Sequence, residues 1–215
     1  MLKTLFEYTT PEISDALDAC GINGFLHNIK PIGNAKKLIG PAYTIQYNAI
    51  NPVPGQFMQA SNYIDEVPAG AVIVIDNNGV SSCSVWGGIL THYAHNKKIA
   101  GTVVHGCVRD LEKSEKYHYP IYATGVTAKT GKNRVAITAQ KVPLTIDGIK
   151  IHFNDIVFAD HNGTLIIPQD QLSKILDMAK NIANNEQKII NAIDNGMSLK
   201  EAREIYHYNC PWKEN

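Results

Sequence analysis

Arg109 and Asp110 stand together where a strand-like run, Thr102-Val103-Val104-His105, gives way through Gly106-Cys107-Val108 to a helical segment reaching Tyr117. An arginine at such a place offers a planar fork of donors matched to a carboxylate, and it keeps its charge when partly desolvated. The aspartate beside it is a hard oxygen ligand, suited to Mg²⁺ or Mn²⁺, which retain several waters and take only one or two protein carboxylates. Together they suit a small 2-oxo acid. The arginine would grip its carboxylate, and a divalent metal chelated by the carboxylate and keto oxygens would stabilise the enolate left when the adjacent carbon–carbon bond breaks. On local sequence alone a plainer assignment stands ahead: Asp110 caps its own helix and Arg109 pairs with a surface carboxylate.

The other reactive side chains are weighed the same way. His92 and His95 have the i, i+3 spacing of two metal ligands on a helix, but no third ligand is near them, which favours a solvated helix face. His105 reads either as a general base close to Arg109 or as a strand-end histidine bonded to backbone. Cys107 lacks a paired histidine and reads as a small buried filler. Asp155 and Asp160 flank a strand and read as turn residues. The glycine-rich dinucleotide and phosphate fingerprints, His-Glu-x-x-His and Gly-x-Ser-x-Gly are all absent.

The elements that must hold this site follow from periodicity. Thr9 and Glu12 have capping-box spacing ahead of Ile13, Ala16 and Leu17, and Gly21 ends that first helix. Tyr43 to Tyr47 and Ala71 to Ile75 read as strands, and Phe57, Ala60 and Ile64 predict a helix over residues 55–64. Trp86, Ile89, Leu90, Tyr93 and Ala94 recur at helical spacing between Val85 and Lys97. Strands and helices alternating over residues 40–125 imply a parallel α/β core. Short strands then crowd together at residues 135–138, 144–146, 149–151, 156–159 and 164–167, with a type I′ turn at Asp147-Gly148. After Pro168 an apolar face runs from Leu172 to Ile193, Gly196 stops it, and Ser198 and Glu201 cap a last helix reaching about Tyr206.

The chain has 215 residues, 44% hydrophobic and 19% charged, with Lys+Arg equal to Asp+Glu at 20 each. Such a balance gives no pull toward nucleic acid or anionic lipid. Cys20, Cys83, Cys107 and Cys210 are scattered, with no Cys-x-x-Cys pair and no secretory segment ahead of them, so a reduced, cytoplasmic compartment is expected. The apolar runs are strand-sized, well short of the roughly 20 residues of a membrane helix.

Several segments together resemble the RraA-like family, which holds the 4-hydroxy-4-methyl-2-oxoglutarate aldolases, also oxaloacetate decarboxylases, and the regulator of ribonuclease E activity. These are Ser14-Asp15-Ala16-Leu17, Gly40-Pro41-Ala42, Trp86-Gly87-Gly88, Gly101 to Asp110, Tyr119-Pro120-Ile121 and Asn154 through Pro168. The family hallmark is a glycine, twenty intervening residues, then Arg-Asp with an acidic residue close behind. Gly88 and Arg109-Asp110 satisfy its first part, since residues 89 to 108 number twenty. The resemblance implies a swivelling ββα-type α/β domain over residues 1–168 with a parallel or mixed sheet. It also implies a C-terminal helical extension, 169–215, packed on the domain or on a neighbouring subunit of a homotrimer or hexamer. It assigns the pyruvyl carboxylate to Arg109, a Mg²⁺ or Mn²⁺ ion to Asp110, and substrate oxygens to the backbone at Gly88, Ile89 and Leu90.

Three positions depart from the pattern. Gly88 stands where active aldolases commonly carry Asp or Glu, Lys113 where an acidic residue is expected, and His105 where Asp is frequent. The implied activity is a metal-dependent carbon–carbon lyase releasing pyruvate, with oxaloacetate decarboxylation needing the fewest groups. Two alternatives share the fold: a non-enzymatic protein that binds and inhibits a ribonuclease, and an enzyme for a different hydroxy- or oxo-acid.

Overall fold

The computed structural model of the chain describes residues 1–51 and 61–208. In chain order its strands are β1 (Phe25–Leu26), β2 (Lys30–Pro31), β3 (Leu38–Ala49), β4 (Val72–Asp76), β5 (Ser84–Trp86), β6 (Gly101–Val108), β7 (Ile121–Val126), β8 (Val135–Gln140), β9 (Leu144–Ile146), β10 (Ile149–Ile151), β11 (Ile156–Asp160) and β12 (Gly163–Ile167). The helices are α1 (Thr10–Ala19), α2 (Gly88–Asn96), α3 (Leu111–Tyr117), α4 (Leu172–Asp194) and α5 (Leu199–Ile205).

Ten strands share a sheet in the order β1-β12-β11-β3-β4-β6-β7-β2, with β8 beside β3 and β5 beside β6. Its centre is parallel, β3, β4, β6 and β7 running the same way, while β11 and β12 pair antiparallel at one side. The sheet is therefore mixed, on a parallel core. Successive side chains of a strand point to opposite faces, and on β4 both faces are covered. Val72 and Val74 pack with Val103 against Leu144, Ile146, Ile149 and Ile151 of the β9–β10 hairpin. Ile73 and Ile75 pack with Val104 in the cluster that holds Trp86 and Ala94. Asp147 and Gly148, turning that hairpin, both take positive φ, as a type I′ turn requires.

The first helix forms as its capping signal predicts: the Glu12 carboxylate accepts from the Thr9 backbone N–H at 2.7 Å. Its start is fastened to the sheet by Asp160, which accepts from the Thr10 N–H at 2.8 Å and the Thr10 hydroxyl at 2.6 Å. Burial pushes the pKa of Asp160 up, but hydrogen bonds from Thr10 and Asn162 outweigh it and hold the carboxyl below its ordinary value. Asp155 likewise accepts from the N–H groups of His152 and Gln169.

Four expectations need adjusting. Trp86 begins no helix, because it ends β5, and the helical period starts only at Gly88. The segment Gly106-Cys107-Val108 is not a turn but the end of β6, where the pairing with β7 shifts between Val104 and Cys107. Of the expected helix over 55–64, residues 55–60 lie outside the described residues, as does Cys210, while Ile64 sits in a short 3₁₀ helix, Asn62–Glu66. The stripe of α4 divides: Leu172, Ile175, Leu176, Ala179 and Ile182 pack with α1, β11 and β12, whereas Ile190 and Ile193 are exposed. No helix among the described residues is long and apolar enough to cross a membrane.

Candidate active site

The place of β5 in the sheet creates the site. β4 stops pairing with β6 at Asp76 opposite His105. Beyond that point Cys107 and Val108 are flanked on one edge by Gly125 and Val126 of β7, and β5 takes the edge that β4 vacates. Two chain segments thus leave neighbouring strand ends together, at the carboxyl edge where parallel sheets gather ligands. One enters α2 through Gly87; the other runs through Arg109 and Asp110 into α3.

Asp110 is left-handed, with φ 59° and ψ 49°, a conformation aspartate tolerates better than most residues. It makes no side-chain cap on its own helix. Its Oδ2 instead accepts the Gly88 N–H at 2.8 Å, capping α2, whose N-cap residue Gly87 has no side chain to do so. The Arg109 Nε lies 3.6 Å from the same oxygen, and both side chains remain about a third to a half exposed. The Arg109 N–H donates to the Trp86 carbonyl at 3.0 Å, tying the end of β6 to β5.

The sequence reading thus located both residues but missed their partners, since nothing local marks a cap that reaches across 22 residues. Of the three backbone positions assigned to substrate, the Gly88 N–H is already engaged by Asp110. Ile89 and Leu90 lie ahead of the first full helical bond, Thr91 N–H to the Gly87 carbonyl at 3.0 Å. First-turn amides of this kind have no acceptor within their own helix and are free to meet an anion.

A buried chain of contacts fixes that turn. The Trp86 Nε1–H donates to the Thr91 hydroxyl at 2.9 Å, which donates to the Gly87 carbonyl at 3.1 Å. The indole also stacks on Tyr119, with centroids 6.1 Å apart. The sequence reading set Trp86 in a helical stripe and passed over Thr91, because a core tryptophan and a helix threonine carry no signal of a site by themselves.

Trp86, Gly88, Ile89, Leu90, Arg109 and Asp110 line a cavity of about 240 Å³ that also reaches Tyr47, Thr130, Gly131 and Lys132. A second hollow, about 540 Å³, lies beyond Gly88 and Asp110 and takes in His92, Glu112 and Lys113. A Cβ added at Gly88 would stand 2.9 Å from Lys113 Cγ and 3.2 Å from Asp110 Cβ. The departures at 88 and 113 are therefore linked, with the lysine stem filling the space where a side chain at 88 would begin.

The remaining candidates sit apart from the cavity. The His105 ring is bonded to a carboxylate and not to backbone: its Nδ1 lies 2.8 Å from Asp76 Oδ1, an oxygen that also accepts the Asn78 N–H. His92 and His95 pack against the Tyr117 ring, at 5.2 and 5.0 Å between centroids. Cys107 is buried, and burial, with nearby Cys83 a smaller cause, raises its thiol pKa, in keeping with a filler rather than a nucleophile. No group of three or more His, Cys, Asp or Glu side chains that could hold a metal occurs among the described residues.

The model of the RraA-like family, described as Aldolase/RraA, matches residues 10–166. The chain belongs to the RraA-like family. Among its RraA-like relatives, the protein DlpA of Legionella pneumophila is 49% identical over 99% of this chain. The match takes in only 34% of DlpA, so the chain spans about a third of that relative's length. A Halalkalibacterium halodurans protein named as a candidate 4-hydroxy-4-methyl-2-oxoglutarate aldolase is 31% identical, over 87% of this chain and 86% of its own. The crystal structure of Streptomyces coelicolor RraAS2, described as an unusual member of the RNase ES inhibitor RraA protein family, superposes with a TM-score of 0.76. That match has 26% identity and covers 86% of this chain and 94% of RraAS2. The RraA-like fold is thus shared over most of the chain.

Proposed function

We propose that this protein is a divalent-cation-dependent carbon–carbon lyase that releases pyruvate from small 2-oxo acids, with oxaloacetate decarboxylation as its basic reaction. The observation that carries the reading is the convergence on one cavity of the Arg109 guanidinium, the Asp110 carboxylate and the first turn of α2. The name of the Halalkalibacterium relative supports the same class of reaction.

In this reading Arg109 holds the substrate's C1 carboxylate through its fork of donors. The Ile89 and Leu90 amides face the 2-oxo oxygen, where negative charge develops. Breaking the C3–C4 bond of oxaloacetate releases CO₂, its electron pair becomes the enolate of pyruvate, and C3 then takes a proton. No base is needed to start the reaction. Retro-aldol cleavage needs one more group, to remove the 4-hydroxyl proton, and Gly88 supplies none.

The donors present fit a hard, largely hydrated cation. Asp110 commits Oδ2 to the Gly88 amide, shows no hydrogen bond at its other oxygen among the described residues, and is nearly half exposed. That matches Mg²⁺ or Mn²⁺ held by one carboxylate, waters and substrate, and not a site built from histidine or cysteine. The cation supplies Lewis-acid polarisation of the substrate's oxygens.

Pyruvate release should be seen with oxaloacetate in Mg²⁺ or Mn²⁺ and be lost in EDTA, and it should be weaker or absent with 4-hydroxy-4-methyl-2-oxoglutarate. No turnover of either substrate with either metal would overturn the lyase reading in favour of a binding protein or another oxo-acid enzyme. We further propose a homotrimer or a pair of trimers, supported by Ile190 and Ile193, which the α4 stripe leaves exposed. Light scattering at micromolar concentration should give three or six times the chain mass, and a monomer would refute it.

A further inference from the structure

Breaking the C3–C4 bond leaves C3 in need of a proton, and the residues that would hold the substrate are poorly suited to give one. An arginine keeps its proton in a protein, and the Asp110 carboxylate acts as an acceptor for the Gly88 N–H. Lys132 reaches the same cavity but stands exposed to solvent. Tyr47, on β3, is the enclosed candidate: it lines the cavity together with Val85, Trp86 and Val135 and is 1% exposed.

The sheet holds this tyrosine in a fixed place. Its carbonyl accepts from the Gln46 Nε2 and the Asn78 Nδ2, each at 3.0 Å. The pairing of β3 with β8 slips just here: Gln46 pairs with Ala139 and Tyr47 with Ile137, which leaves Thr138 over, and the Thr138 hydroxyl accepts from the Asn48 Nδ2 at 3.0 Å. An irregularity of this kind re-aims a side chain, and such features gather beside active sites. Burial pushes the pKa of the Tyr47 hydroxyl well up, against a smaller opposing effect from a hydrogen bond with Ser61, which also lines the cavity. Tyr47 thus enters the reaction as a neutral phenol, and the Ser61 hydroxyl supports the charge left on its oxygen when the proton goes.

Resting on the lyase reading, we propose that Tyr47 is a catalytic residue, the acid that converts the enolate into pyruvate inside the cavity. The enolate oxygen re-forms the C2 carbonyl, and the electron pair of the C2–C3 double bond takes the Tyr47 hydroxyl proton to make the third C–H bond of the methyl group. The phenolate then regains a proton from water. Transfer runs in this direction because the methyl group of pyruvate is a far weaker acid than a phenol, even a buried one.

The test follows three signals in one reaction of the full chain with oxaloacetate and Mg²⁺, each corrected for Mg²⁺ alone: CO₂ release, pyruvate, and free enolpyruvate by its ultraviolet absorbance. The wild-type protein should release pyruvate with no free enolpyruvate. In Tyr47→Phe, which keeps the ring, protonation on the protein should slow by about 100-fold or more, the range of one general acid, so that enolpyruvate leaves and turns into pyruvate only as fast as it does in buffer. Ser61→Ala should slow the same step by about tenfold, the scale of one hydrogen bond to a charged group. Free enolpyruvate from the wild type overturns the assignment, and that result needs no variant to fold. So does a Tyr47→Phe protein that forms pyruvate without free enolpyruvate, whatever its rate, because a merely structural residue slows both steps together. Wild-type protein that releases no CO₂ removes the lyase reading itself, whereas the other two outcomes leave that reading standing and remove only Tyr47.

Discussion

Arg109→Lys should lower kcat/KM for oxaloacetate by about 30- to 1000-fold while the thermal midpoint hardly moves. The factor corresponds to the roughly 2–4 kcal/mol expected when a bidentate, charge-assisted grip on a carboxylate is replaced by a point charge. The fold has little reason to respond. What ties Arg109 to the sheet is its backbone N–H, donating to the Trp86 carbonyl, and lysine keeps that bond. The side chain's contact with Asp110, at 3.6 Å and well exposed, is of a kind worth at most about 1 kcal/mol. Decarboxylation rate and thermal midpoint measured on one preparation decide the matter. Full activity with a lowered midpoint would mean that Arg109 only supports Asp110.

Asp110→Asn should abolish most of the Mg²⁺ or Mn²⁺ activation and leave the protein folded. An asparagine carbonyl can still accept the Gly88 N–H, and asparagine is at ease in the left-handed conformation that residue 110 adopts. The cap on α2 survives, and what is lost is the negative charge facing the cation. Removing the Asp110 carboxylate charge should weaken metal binding by roughly 100-fold or more, since even groups behind the ligands contribute 10- to 100-fold. Asp110→Ala makes the useful contrast. It removes the cap as well and places alanine at positive φ, adding about 1–2 kcal/mol of destabilisation. Titrating Mn²⁺ by its paramagnetic signal against each variant tests the charge directly, and an Asp110→Asn protein that binds the ion normally would remove Asp110 from the metal site.

The neighbourhood of these two residues explains why the site was only partly legible in the sequence. Arg109-Asp110 offers a fork of donors beside a hard carboxylate at a strand end, but local sequence alone put a helix cap and a surface ion pair ahead, and it was the resemblance to the RraA-like family that turned the reading toward a ligand site. The strand before it was placed correctly at its start and cut short at its end, because Gly106 reads as a turn residue while the edge vacated by β4 lets β6 run on to Val108. Trp86 was taken for the first residue of a helical stripe, since its spacing to Ile89 and Leu90 fits that period. β-Pairing with Val108 overrides the local pattern. Lys132 had no signal at all, being one lysine in a polar loop.

What the sequence determined by itself is whatever depends on near neighbours and on side-chain chemistry. The capping box of α1, the Ser198 cap of α5, the type I′ turn, the buried strands and the parallel core over residues 40–125 are all of this kind. Only the tertiary structure decided which end of which helix the Asp110 carboxylate would cap. It alone brought Lys132 to the cavity, paired His105 with Asp76, and filled the space beside Gly88 with the stem of Lys113. Each of these joins residues more than twenty positions apart, and such meetings are set by the order and register of the strands between them. A change of one residue in that register would turn the same side chains to the opposite face of the sheet.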